Sequence, residues 1–195
     1  MRFDSVRPYT LGDAVLAQRA ARSWVGDAVL IVLFSGFVAL TAQIKIPLWP
    51  IPFTLQTLGV LLTGVVLGSR RGALSIALYL GEGAIGLPVF AGGAFGVPYM
   101  LGATGGYLIG FVAAAWLVGA LAERGWDRRF SSAALAMVLG NVVIYALGVA
   151  WLAVVLGDVQ KAIMGGVVPF LLGDLAKIAL AAVVLPGAWT LVRRQ

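Results

Sequence analysis

The chain has 195 residues, of which 61% are hydrophobic and only 11% charged, against about 25% charged in a soluble domain. Too few charged side chains remain to cover an aqueous surface, and a mean hydropathy of +1.00 points to an integral membrane protein. With no histidine and no cysteine, zinc sites of the usual ligand sets, thiol nucleophiles and Ser-His-Asp triads are excluded.

Residues 1–24 carry Arg2, Arg7, Arg19 and Arg22 but no apolar core and no A-x-A site, so they are not a secretory signal. Leu11, Val15 and Gln18 share a helical face with arginines opposite, the pattern of a short helix on the cytoplasmic membrane surface. Residues 25–195 are expected to form one compact domain, an all-α integral membrane bundle of six transmembrane helices. Its apolar segments lie at roughly 25–43, 54–68, 73–87, 102–121, 131–156 and 169–192. The second and third, split by GSRRG at 68–72, fall short of the ~20 residues that span a bilayer. A re-entrant hairpin is the alternative there.

The connections IKIPLWPIPF (44–53), LPVFAGGAFGVPYM (87–100) and GDVQKAIMGGVV (157–168) hold most of the prolines. Pro52 and Pro169 suit a first helical turn, where a missing N–H costs nothing, so segments two and six are predicted to start there. Gly64 with Gly68, and Gly102 with Gly106 and Gly110, are spaced for close helix packing. Ser35 and Ala39 repeat the spacing in segment one, where docking of a partner protein is the competing explanation.

The basic residues set the topology. Arg2, Arg7, Arg19, Arg22, Arg70, Arg71, Arg124, Arg128, Arg129, Arg193 and Arg194 all fall on one side of a six-span chain, whereas the opposite loops hold only Lys45 and Lys161. This positive-inside bias predicts two cytoplasmic termini. It also explains the net charge of +6 without nucleic acid.

Polar residues within the spans gather toward the outer end. Asp174 and Lys177 stand three residues apart and share a face of the last helix, Lys177 about 12 Å in at 1.5 Å per residue. Thr54, Gln56 and Thr57 sit at the start of segment two, Glu82 at the end of segment three, Thr104 and Tyr107 at the start of segment four. Asn141 and Tyr145 lie nearer the membrane centre. Trp49, Phe53, Phe90, Phe95 and Tyr99 can supply apolar walls. A channel or proton relay needs polar groups through the full thickness; a pocket open to the outside needs them only where its ligand sits. Two charges at roughly 2.5–3.5 kcal/mol each are costly to retain for packing alone, so the pair is read as functional.

Four segments, IPFTLQTLGVLLTG (51–64), LGEGAIGLPVFAGG (80–93), LGATGGYLIGF (101–111) and PFLLGDLAKIALA (169–181), together resemble the BioY family of biotin-specific S components of energy-coupling factor (ECF) vitamin transporters. The resemblance implies a multi-pass protein of the cell membrane that binds biotin from outside. Its partners would be a transmembrane coupling protein, ATPase subunits and lipid, with no cofactor and no catalysis of its own. Asp174 and Lys177 match the family's final-helix pair, and Ser35-xxx-Ala39 stands where the family carries an Ala-xxx-Ala docking patch. The expected ligand residues are Asp174, Lys177, Gln56, Asn141, Tyr107, Phe90, Thr54 and Glu82. Lys177 can pair with biotin's carboxylate, while Asp174, Gln56 and Asn141 can serve its ureido group; which group meets which end is left open. Without histidine, cysteine or a carboxylate pair within one short motif, the hydrolytic or metal chemistry of a membrane enzyme is hard to build, and no phosphate loop G-x-x-x-x-G-K-[ST] is present. A stand-alone secondary transporter for biotin or another small carboxylate is the closer alternative.

Overall fold

A computed structural model describes residues 10–16 and 24–192. The expected face of Gln18, and Arg2, Arg7, Arg19, Arg22, Arg193 and Arg194, lie outside the described residues. In chain order the elements are α1 (Leu11–Leu16), α2 (Trp24–Gln43), β1 (Lys45–Ile46), β2 (Phe53–Thr54), α3 (Gln56–Leu67), α4 (Ser69–Ala84), α5 (Val97–Met100), α6 (Gly105–Glu123), α7 (Phe130–Leu156), α8 (Val159–Gly166) and α9 (Leu171–Val192). Single 3₁₀ turns, Trp126–Arg128 and Val168–Phe170, precede α7 and α9.

Four stretches of helix are long and apolar enough to cross a membrane: α2, α6, α7 and the run from α8 through α9. The second and third apolar segments fold as α3 and α4, with 12 and 16 residues, both short of a full crossing. Gly68, at φ +85°, ends α3 and begins α4, a left-handed backbone that suits glycine. The prediction that a helix begins at Pro52 is corrected, whereas the start expected at Pro169 holds to within two residues. Pro52 precedes β2, and α3 starts at Gln56; Pro169 lies in a 3₁₀ turn, and α9 starts at Leu171. Pro52 instead ends the 44–53 loop, while Pro169 stands in the first turn of the 3₁₀ segment that continues into α9, where a missing N–H costs nothing.

α6 is the centre of the bundle. About 67% of its apolar stretch is buried, against 17% for α2. Small residues permit this: a Cβ on Gly110 would meet Ile144 Cα at 3.1 Å, and one on Gly64 would reach Ala115 Cα at 2.9 Å. The close packing expected of the glycine spacing is therefore present at Gly64, Gly106 and Gly110, while Gly102 falls before the helix, where its carbonyl accepts from Trp151 Nε1 at 2.9 Å. The outward face is apolar, with Val29, Leu33, Leu40, Leu147, Val154, Leu172 and Val183 among many exposed large side chains. Such a face suits lipid and would be costly in water.

The two ends of the bundle differ. At one lie the end of α2, the β1–β2 hairpin, the start of α3, the 85–96 loop, α5, the start of α6, α8 and the start of α9. At the other lie α1, the α3–α4 turn, the α6–α7 connection and every described arginine: Arg70, Arg71, Arg124, Arg128 and Arg129.

Candidate functional site

At the arginine-free end, the β1–β2 hairpin, α3, α6, α7 and α9 border a pocket of about 540 Å³ with its open mouth included. Its walls are mostly apolar and aromatic: Ile51, Phe53, Tyr99, Tyr107, Leu108, Phe111 and Phe170. Asp174 and Lys177 stand among them, 4% and 7% exposed. One turn of α9 puts both on the same face, and Lys177 Nζ lies 2.8 Å from Asp174 Oδ1.

Two charges at that depth persist only when their solvation is replaced. Lys177 Nζ also donates to the Thr54 carbonyl and to Thr57 Oγ1, each at 2.8 Å, and sits 4.2 Å from the centre of the Phe53 ring. Its three N–H groups are thus all engaged. Asp174 Oδ1 accepts from Lys177 and, at 3.3 Å, from Thr57 Oγ1, and Oδ2 accepts from the Tyr145 hydroxyl. A carboxylate has about four lone-pair sites, so one acceptor position on Oδ2 is left. Phe53 reaches this position because residue 173 is glycine, whose Cβ would overlap the ring, and it stacks on Phe170 with centroids 6.0 Å apart.

Of the expected residues, Asp174, Lys177, Thr54, Gln56 and Tyr107 line the pocket. Gln56 donates from Nε2 to the Tyr79 hydroxyl at 2.8 Å, which leaves its carbonyl oxygen as the free end. Tyr107 donates to the Gly166 carbonyl at 2.8 Å and so ties α6 to α8. Three residues do not reach the walls. Phe90 is fully buried one layer back, stacked on Tyr99 at 5.2 Å and edge-on to Tyr79 at 5.5 Å. Asn141 lies on the far side of Lys177, in a narrow cleft with Leu61, Met137 and Ile178, and its Oδ1 has no partner among the described residues. Glu82 accepts from Ser35 Oγ at 2.9 Å, bridging α4 to α2. Ser35 is 1% exposed and so faces the interior, while Ala39 is half-buried.

Tyr145, Thr57, Phe111 and Phe170 join the site without having been among the expected ligand residues. Phe111 follows Tyr107 by four residues, the spacing that puts two side chains on one face; that signal was available. Tyr145 likewise follows Asn141 by four residues on α7, so the sequence marked that face of the helix. It did not show that Tyr145 rather than Asn141 reaches the pocket, because α7 is otherwise apolar all round.

A helical bundle sheathed in apolar residues, with a buried ion pair set beside an aromatic-walled pocket at one end, defines a membrane protein that captures a small molecule. The chain belongs to the BioY family, whose model matches residues 13–194. The biotin transporter BioY of Thermotoga maritima is 43% identical over 152 residues, 78% of this chain and 89% of that protein. The biotin transporter BioY of Rhizobium etli is 39% identical over 167 residues, 80% and 89% of the two chains. In fold, the chain resembles the crystal structure of the S-component for biotin from an ECF-type ABC transporter, with a TM-score of 0.73 at 24% identity over 90% of this chain and 96% of that one.

Proposed function

We propose that the chain is the substrate-specific subunit of an ECF-type vitamin transporter and captures biotin in the pocket around Asp174 and Lys177. The observation that carries this reading is the buried pair itself. Its charges are satisfied by the protein, yet it turns an unused acceptor toward an apolar, aromatic-walled space. Biotin offers two ureido N–H donors, an apolar bicyclic ring and chain, and one carboxylate. With all Lys177 N–H groups engaged, a carboxylate at this depth would find no donor and would face Asp174. A ureido N–H matches the open acceptor, and Gln56 Oε1 offers a second. The ring therefore lies against the pair and the carboxylate toward the mouth.

In this reading residues 1–24 form a cytoplasmic surface segment and residues 25–195 a six-span domain of the plasma membrane, with both termini cytoplasmic. The arginine-rich end faces the cytoplasm, and α3 and α4 cross together with the loops beside them. The subunit uses no cofactor and no catalysis of its own. ATPase subunits and a transmembrane coupling protein energise uptake, docking on α2, the least buried of the long helices. Gly36 opens on that face with nothing near it, whereas Ser35 is occupied with Glu82.

The test is a binding screen of the purified chain against water-soluble vitamins, with uptake measured in cells that do and do not express the partner subunits. Biotin should bind alone among them, and accumulation should require the partners. Selective binding of another vitamin would overturn the ligand, and full accumulation without partners would favour a stand-alone transporter.

A further inference from the structure

A carboxylate directed to the mouth can be recognised by a cation there. At the pocket end the described basic residues are Lys45, Lys161 and Lys177. Lys177 has spent its three donors, and Lys161 is paired with Asp158 at 3.5 Å on α8. Lys45 Nζ has no ion-pair or hydrogen-bond partner among the described residues.

Its placement is specific. Lys45 on β1 is the register partner of Thr54 on β2, and residues directly opposite in an antiparallel pair project to the same face. Thr54 lines the pocket and gives its carbonyl to Lys177, so one rung of this short ladder joins the pocket wall to the exposed strand that carries Lys45. From there the Lys45 side chain runs over to the 85–96 loop and lies against Gly92. A Cβ on Gly92 would sit 2.8 Å from Lys45 Cδ and overlap Cε and Nζ, and the residue holds φ +69°. The ammonium thus rests over the exposed Gly92 backbone, whose neighbour Ala91 is part of the pocket wall. Gln43 fastens the same loop to α2, donating from Nε2 to the Phe90 carbonyl at 3.3 Å and to the Ala39 carbonyl at 2.9 Å.

We infer that Lys45 is the specificity-determining cation at the pocket rim, holding the carboxylate of the ligand whose polar ring lies against the Asp174–Lys177 pair. The inference rests on the biotin reading above. It separates the two ends of the ligand chemically: a neutral hydrogen-bonding ring selected at depth, and a negative chain end selected at the surface, where the carboxylate keeps part of its hydration.

The test compares biotin with its carboxamide on the purified full chain, on Lys45→Gln and on Lys45→Arg, by equilibrium binding at low ionic strength. Lys45→Gln should weaken biotin about three- to tenfold, a range set by a charged contact that is partly exposed. It should leave the carboxamide unchanged, and Lys45→Arg should retain most of the affinity. The loss for biotin should shrink as salt is added. Unchanged biotin affinity in Lys45→Gln, or equal losses for acid and amide, would overturn the role of Lys45 and leave the biotin reading intact. Failure of the unmutated chain to bind biotin would overturn both, so the two failures are told apart on the first protein measured.

Discussion

The two ends of the bundle handle charge in opposite ways. At the arginine-rich end, carboxylates join elements to one another. Asp13 and Asp27 both take the Arg71 guanidinium, at 2.8 and 2.9 Å, which ties α1 and α2 to α4. Glu123 at the end of α6 accepts from the Ser69 amide and hydroxyl at 2.7 and 2.8 Å, capping the start of α4. Asp127 accepts from Trp189 Nε1 at 2.6 Å, and burial pushes its carboxyl up despite that bond. At the pocket end, Asp174 and Lys177 are as tightly bonded, but the cluster also borders open space. Similar chemistry serves connection at one end and recognition at the other, because at the pocket end the charges border a largely aromatic space, whereas the room at the arginine-rich end is lined by arginines and serines.

The largest expected effect breaks this comparison at the pocket. Lys177→Ala leaves Asp174 buried and uncompensated, which should cost about 3–5 kcal/mol of stability and abolish measurable biotin binding. The double variant Asp174→Asn/Lys177→Met should melt near the unmutated protein yet still fail to bind. Binding retained in the double variant would make the pair a packing device like those at the other end.

Tyr145→Phe is milder. It removes the hydroxyl that donates to Asp174 Oδ2, a bond to a charged group and so about 1.5–3 kcal/mol. Biotin affinity should fall roughly ten- to hundredfold, measured by calorimetry, with the fold retained. An affinity that does not change would separate Asp174 Oδ2 from ligand recognition.

The smallest effect belongs to the opposite end. Arg71→Ala should lower stability by about 1 kcal/mol, since both partner carboxylates keep some solvent, and should leave biotin affinity untouched. Burial alone would raise the Asp13 carboxyl, but Arg71 and Thr10 together outweigh it and hold it below 3.8. A carboxyl lowered on folding stabilises fully above its unfolded value and loses that contribution as pH falls through its folded value. The melting difference between the two proteins should therefore be constant near neutrality and narrow below about pH 3.8. A difference that grows in acid would contradict the Asp13–Arg71 bond.

The membrane class needed only composition, since too few charges exist to cover the chain in water, whatever its fold. The i, i+3 spacing of Asp174 and Lys177 likewise placed both on one face without any partner in view, and the polar residues of the span ends marked which end would hold the pocket. The rotation of each helix required the tertiary structure. α2, α6 and α7 are apolar around their whole circumference, so nothing local distinguishes the side that meets lipid from the side that meets a neighbour. That is why Ser35 turns inward to Glu82 rather than outward to a partner, why Asn141 passes behind Lys177, and why Tyr145, one turn further along α7, is the residue that reaches Asp174. The engagement of all three Lys177 donors depended on the β1–β2 hairpin bringing the Thr54 carbonyl to α9 across 123 residues of chain. A contact at that separation is written in no local pattern, because it follows from how the whole bundle closes.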